Sequence, residues 1–439
     1  MEDMLPVVVI GAGPQGLAAA AHLTERGLPA LVLEAGDGPA AAVAQWGHVR
    51  LFSQWPELID NASARLLEPT GWSRPDEGYP TGHAWIREYL APLASALGER
   101  VRYGARVTGV SRLGRDRLVD AERGSQPFTV HIETKDGGEE RILARAVIDA
   151  SGTWATPNPL GADGLPALGE RAASDLLTYR IPDFDDAAGF AGQHTIVVGS
   201  GHSAVTAVIA LAEIAKRSPG TSVTWAVRRA SVTAVFGGGA ADELPARGAL
   251  GARAKELVES GAVSLVTGFR TERVLRVGAG VTIVAEDGRA LAGDRVVVLT
   301  GFRPDLSILS ELRLELDPTL QAPVRVAKEV DPNIHSCGSV SATGAADLAH
   351  PEPGFYIVGA KSYGRAPTFL ALTGYEQVRS VVAEVAGDHE AVRRVELVLP
   401  DTGVCGGTGL FDAAGASSGG ACCAPAPLIQ LGRAPQATS

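Results

Sequence analysis

Short apolar runs alternate with glycine turns and amphipathic stretches along the chain, and the pattern predicts parallel sheets crossed by helices. Pro6-Val7-Val8-Val9-Ile10 is an unbroken β-branched run, as expected of a strand buried on both faces. An Ala/Leu-rich stretch to about Arg26 reads as a helix stopped by Gly27, and Leu31-Val32-Leu33-Glu34 as the next strand. A long connection over 36–80 follows, with Trp46, Phe52, Trp55 and Trp72 as landmarks. Helical spacing over 83–98 aligns Trp85, Ile86, Tyr89, Leu90, Leu93 and Leu97 on one face. Strands are predicted at 101–110, 128–134 and 141–150, after which Pro157 and Pro159 mark a domain exit.

A second strand-helix-strand unit runs from Thr195-Ile196-Val197-Val198 through an apolar helix to about Lys216 and on to Ser222–Val227. A helix near 252–259 and strands at 263–267, 273–276, 281–284 and 295–300 come next. A strand over 355–358 leads to a last helix from about Pro367 to Ala386. Beyond Pro400 the chain is rich in Gly, Ala, Ser and Pro, the composition of a flexible tail.

Each unit has a glycine turn between its first strand and its helix. The first is Gly11-Ala12-Gly13-Pro14-Gln15-Gly16, with Glu34 eighteen residues after Gly16. This pattern suits a dinucleotide: one glycine makes the turn, one lets the diphosphate approach the backbone, one lets helix and strand pack, and the acid accepts from ribose hydroxyls. The second turn is Gly199-Ser200-Gly201-His202-Ser203-Ala204, and its following strand ends in Arg228-Arg229 instead of an acid. Two guanidiniums match a 2′-phosphate, which favours NADPH. His202, just past the second glycine, is expected to face phosphate and helix surface.

Composition sets how much these motifs mean. Gly is 53 of 439 residues, so on the order of 0.75 matches to G-x-G-x-x-G are expected by chance, and position between strand and helix carries the argument. A net charge of −11 argues against nucleic acid as a main partner. No apolar run reaches 18 residues and the start is acidic, so neither a membrane span nor a signal peptide is expected, and the chain reads as cytoplasmic. Only five basic residues are lysines: Lys135, Lys216, Lys255, Lys328 and Lys361. The four cysteines, Cys337, Cys405, Cys422 and Cys423, contain no Cys-x-x-Cys, which removes the usual flavin-linked disulfide pair. The adjacent Cys422-Cys423, with Cys405, could hold a soft metal or metalloid ion.

Two dinucleotide folds, the first acidic and the second basic, suggest a flavin enzyme that takes hydride from NADPH. The chain resembles the two-dinucleotide-fold flavoproteins, and within them the flavin-containing monooxygenase-like group. The motifs that carry the resemblance are Gly11–Gly16, Ala150-Ser151-Gly152, Gly199–Ala204 and Thr300-Gly301-Phe302-Arg303-Pro304-Asp305. Two features depart from it: Phe190-Ala191-Gly192 is followed too early by His194 for the monooxygenase fingerprint, and Gly359-Ala360-Lys361 stands where a Gly-Asp often holds the ribityl chain. The segment Lys361–Phe369 and the tail cysteines more closely resemble the oxidoreductases of arsenic-resistance operons.

The resemblance implies an α/β fold of two Rossmann-like domains. A discontinuous FAD domain covers 1–155 and 330–398, an inserted NADPH domain covers 156–329, and 399–439 is the tail. Trp46, Arg50, Val107, Ala150, Ser151, Gly152, Thr300, Gly301, Phe302, Gly359, Pro367 and Thr368 join the two glycine turns as cofactor contacts. Ser53, Gln54, Tyr363 and Arg365 are expected at the catalytic end, with the helix from Pro367 aiming its positive end at the flavin. The implied activity is an FAD- and NADPH-dependent monooxygenase that uses O₂, through a flavin hydroperoxide, on a small nucleophile with an N, S or As centre. Two alternatives stay open: an NADPH-dependent flavin reductase that uses the tail cysteines on a metal, metalloid or disulfide, and a non-enzymatic flavin-bound sensor.

Overall fold

A computed structural model describes residues 4–230, 236, 245–332, 342–367 and 369–396. The glycine loop 237–239, Thr368 and the cysteines Cys405, Cys422 and Cys423 lie outside the described residues.

Among the described residues, sixteen strands form two copies of one plan. The first five-stranded parallel sheet is built from β1 (Val7–Ile10), β2 (Ala30–Leu33), β3 (Val101–Arg102), β7 (Ala146–Asp149) and β16 (Phe355–Ile357), in the order β16-β7-β1-β2-β3. Beside it stands an antiparallel sheet of β4 (Ala105–Arg112), β5 (Phe128–Thr134) and β6 (Glu139–Ala144). The second parallel sheet takes β8 (Leu177–Thr178), β9 (His194–Val198), β10 (Ser222–Ala226), β11 (Ser264–Val266) and β15 (Arg295–Val298), in the order β11-β10-β9-β15-β8. Its companion is the meander β12 (Thr271–Val277), β13 (Gly280–Ala285) and β14 (Ala290–Gly293). This is the α/β architecture of two Rossmann-like sheets that the sequence predicts.

Central position explains the apolar runs. β1 lies between β2 and β7, in register Val7↔Ala30 and Val7↔Ala146, and Val7, Val8 and Val9 are wholly buried. Helix α1 (Pro14–Glu25) covers it and packs on α6 (Ala371–Ala386), while α4 (His202–Arg217) plays the same part against β9 and β10. Short α2 (Asn61–Leu67) is capped by Asp60, whose carboxylate also meets His22 of α1 at 3.0 Å.

Several boundaries move for local reasons. The predicted 141–150 strand is two strands, parted at Arg145, because β6 pairs antiparallel with β5 while β7 joins the parallel sheet. Residues 82–97 are helical, but Ile86–Leu90 winds as a π turn before α3 (Ala91–Leu97). Pro92 has no N–H for the Glu88 carbonyl, which instead accepts the Trp72 indole N–H at 2.7 Å. α6 starts at Ala371, not Pro367. β14 is absent from the sequence reading because Ala290-Leu291-Ala292-Gly293 carries no β-branched residue.

Candidate functional site

Both glycine turns sit at the C-terminal ends of parallel strands, where open α/β sheets bind ligands. Gly11 has φ +95°, and a Cβ there would come within 3.0 Å of the Ala150 carbonyl oxygen. A Cβ on Gly16 would stand 1.9 Å from the Gly11 carbonyl oxygen, so helix and turn touch directly. A Cβ on Gly13 would meet nothing within 4 Å, which leaves the cradle a phosphate needs. Helix α1 begins there with Pro14 in its first turn and no side-chain cap, so its N-terminal dipole faces that space. Gln15 is turned inward and donates to the Ala371 carbonyl at 2.9 Å, locking the start of α1 to the start of α6. Glu34 accepts the Ala12 N–H at 2.7 Å and the Gly36 N–H at 2.8 Å, one on each oxygen. Each oxygen keeps a lone pair for a ribose hydroxyl. These residues fit a dinucleotide.

The second turn repeats the geometry. Gly199 has φ +130°, and its Cβ would lie 2.2 Å from the Leu299 carbonyl oxygen. Around Gly201 there is nothing within 4 Å, and α4 starts uncapped. Ser200, Gly201 and His202 are exposed and Ser203 half-buried. Arg228 and Arg229 follow β10, and Arg270 joins them as a third guanidinium. Partial burial and the like charges of Arg229 and Arg270 push the Arg228 pKa down, and the Arg228 guanidinium donates to the Ala162 carbonyl at 3.1 Å.

Between the two turns the chain crosses twice, and the crossings are laced together. Asn158 donates to the Thr300 carbonyl at 2.9 Å, and the Thr300 hydroxyl donates to the Asn158 carbonyl at 3.1 Å. Gly301 takes φ +91° to allow this, and Arg303 donates to the Asn158 side chain at 2.8 Å. Trp154 lies over Phe302 with ring centroids 4.7 Å apart and reaches Trp46 at 6.5 Å. Its indole N–H donates to Gln45 at 2.9 Å, and the Arg180 guanidinium stands 5.1 Å above its ring. Phe52 meets the His202 ring at 5.4 Å, a second bridge from the first unit to the second turn.

The remaining expected residues divide. Ser151 and Gly152 lie at the first sheet's edge beside Ala150, with Gly152 at φ +70°, and Gly359 packs on Gln15 at φ +70°. Arg50 is exposed and bonded to the Tyr79 carbonyl. Gln54 is exposed and committed to Tyr79 and Glu57, and Arg365 is exposed and bonded to Gln321 at 2.7 Å. The structure places four further expected residues as follows. Val107 is buried within β4 in the core. Ser53 is buried. Tyr363 is 2% exposed and edge-on to Phe369, and burial pushes its pKa up. Pro367 precedes α6 by a full turn and does not cap it. Missing from the sequence reading were Asp149, Trp154 and Arg270. An acid closing the apolar strand Ala146–Asp149, and an aromatic two residues past Gly152, were the available signals.

Among the described residues no cluster of metal ligands occurs, and no helix is long and apolar enough to cross a membrane.

The sequence profile of the pyridine nucleotide-disulphide oxidoreductases matches residues 5–358. An indole-3-pyruvate monooxygenase of Oryza sativa subsp. japonica is 32% identical over 198 residues, 45% of this chain and 42% of that protein. The chain thus spans less than half the length of that relative. A ferredoxin–NADP reductase of Paramagnetospirillum magneticum is 26% identical over 80% of this chain and 90% of its own. The bacillithiol disulfide reductase of Bacillus cereus has a similar fold, with a TM-score of 0.66 and 20% identity over 88% of this chain and all of its own.

Proposed function

Given that the chain belongs to the pyridine nucleotide-disulphide oxidoreductase family and is a flavin-dependent oxidoreductase, we propose that it binds FAD at the first glycine turn and NADPH at the second, and that it acts as a monooxygenase on a small soft nucleophile. The observation that carries this reading is the contrast between two turns of one geometry: the first answers to a carboxylate, Glu34, and the second to Arg228, Arg229 and Arg270. Bound FAD would supply two-electron chemistry with nicotinamide and with O₂. The protein's part is to bind, orient and shield. Glu34 takes ribose hydroxyls, the uncapped ends of α1 and α4 take diphosphates, and the Trp46-Trp154-Phe302 cluster joins the two sheet edges where the reacting rings must meet. The lack of any Cys-x-x-Cys favours oxygen over disulfide as the electron acceptor. The test is NADPH oxidation under ¹⁸O₂ with amine, thiol and arsenite substrates. Label in the product supports the reading, and NADPH turnover without label rejects oxygen insertion.

A reductase reading has one specific support, the vicinal Cys422-Cys423 pair, which would pass electrons to a thiophilic ion or a disulfide. We place the enzyme in the cytoplasm on the same grounds as its reading as a soluble nucleotide-dependent catalyst, and leave arsenic chemistry as one arm of the substrate test.

A further inference from the structure

At the cleft edge of the first sheet, β7 ends on Asp149, and the turn Gly359–Tyr363 after β16 brings in Lys361. The Lys361 ammonium donates to Asp149 Oδ2 at 2.7 Å and to Ser151 Oγ at 3.1 Å. The Ser151 N–H and O–H both donate to Asp149 Oδ1, at 3.0 and 2.6 Å. Lys361 and Asp149 are 1% and 0% exposed, whereas Ser151 is exposed. Only Ser151, then, can present this network to a ligand.

Stability alone does not account for such a pair. Burying two charges carries a desolvation cost that their attraction often only matches, and apolar residues of the same volume frequently serve as well. What the pair does fix is the state of one hydroxyl. The single Ser151 proton is committed to Asp149, and one lone pair of Ser151 Oγ is taken by Lys361. The remaining lone pair can only accept. It therefore suits a ligand hydroxyl and not a phosphate oxygen, which also accepts. Position narrows the choice further. β7 flanks β1 on the side opposite β2, so Ser151 cannot share the ribose that Glu34 takes.

We propose that Lys361 and Asp149 are positioning residues that orient Ser151 as a dedicated acceptor for a hydroxyl of the flavin's ribityl chain. The proposal rests on the reading of Gly11–Gly16 as the FAD turn.

The test compares dissociation constants for FAD and for FAD analogues each lacking one ribityl hydroxyl, measured by flavin fluorescence on apoprotein. Wild type is expected to bind one of the deoxy analogues about 10-fold more weakly than FAD, the loss of one hydrogen bond. Ser151→Ala is expected to bind FAD and that analogue alike. In the charge-neutral Asp149→Leu/Lys361→Met double variant, which removes both side-chain partners of the Ser151 hydroxyl, that hydroxyl is free to turn, and the discrimination is expected to fall toward unity. Single removal of either charge strands the other, so the exposed Ser151→Ala change keeps the test valid if the buried variants fail to fold. Equal binding of every analogue by wild type, or full discrimination kept by Ser151→Ala, would overturn the proposal. Failure of wild type to hold FAD at all would overturn the FAD reading beneath it.

Discussion

Trp154 packs against Phe302 with ring centroids 4.7 Å apart, and each residue sits on one of the two chain crossings that connect the sheets. Because Trp46, Gln45 and Arg180 also hold Trp154, it ties the two crossings together, and under the proposed function it would set how the flavin and nicotinamide edges face each other. Hydride transfer depends steeply on that distance. Trp154→Ala is expected to keep its flavin while flavin reduction by NADPH slows roughly 10- to 100-fold. Stopped-flow absorbance measures this, and an unchanged rate would remove the cluster from the account.

The first turn makes opposite demands at its glycines. Gly13→Val places a side chain in open space, so the protein should fold with a near-normal melting temperature and purify with little flavin. Gly16→Ala drives a methyl into the Gly11 carbonyl, so it should lose stability as well as flavin. Full flavin content in Gly13→Val would mean that this loop holds no diphosphate.

Removal of both guanidiniums, Arg228→Ala with Arg229→Ala, should cost ~1.5–3 kcal/mol of contact with the 2′-phosphate, about 10- to 150-fold in kcat/KM for NADPH. The NADH value should hardly move. An unchanged NADPH/NADH ratio would show that the cation cluster serves something else.

The sheets and both glycine turns were legible because each rests on local chemistry: a β-branched run, a turn only glycine can make, an uncapped helix start. The contacts between units were not. Nothing in the spacing of Gln45, Trp154 and Phe302 announces that they meet, since more than a hundred residues part them and only the double crossing brings them together. The burial of Tyr363 was hidden for a related reason. Its place before the last helix suggested a cleft, but the helix starts at Ala371, and the intervening turn folds the ring into the core. Asp149 was hidden because its partner Lys361 lies 212 residues later.

His350 supplies a pH signature. Burial lowers its pKa from 6.5 to about 4. The folded state holds it neutral, and the unfolded chain takes up the proton first. Stability from this group is therefore complete above the unfolded pKa and drains away as pH falls from about 6.5 toward 4. His350→Gln should flatten the melting-temperature profile across that window and leave it unchanged at neutral pH. An equal acid slope in both proteins would assign the loss to other groups.

Deletion of residues 401–439 should leave flavin content and NADPH oxidation nearly intact, since both glycine turns lie upstream. If the reductase reading holds, the deletion should abolish binding of trivalent arsenic by Cys405, Cys422 and Cys423, as counted by free-thiol titration. Equal thiol loss with and without these residues would remove the support for that reading.

The most direct test of the two-nucleotide account is anaerobic mixing of the purified protein with NADPH and, separately, NADH, followed at the flavin's visible band. The account predicts a yellow protein whose band bleaches with NADPH at least about 10-fold faster than with NADH, the factor expected from one charged contact to the 2′-phosphate. A colourless protein that takes up no FAD, or a bleach that is equal with both nucleotides, would contradict it.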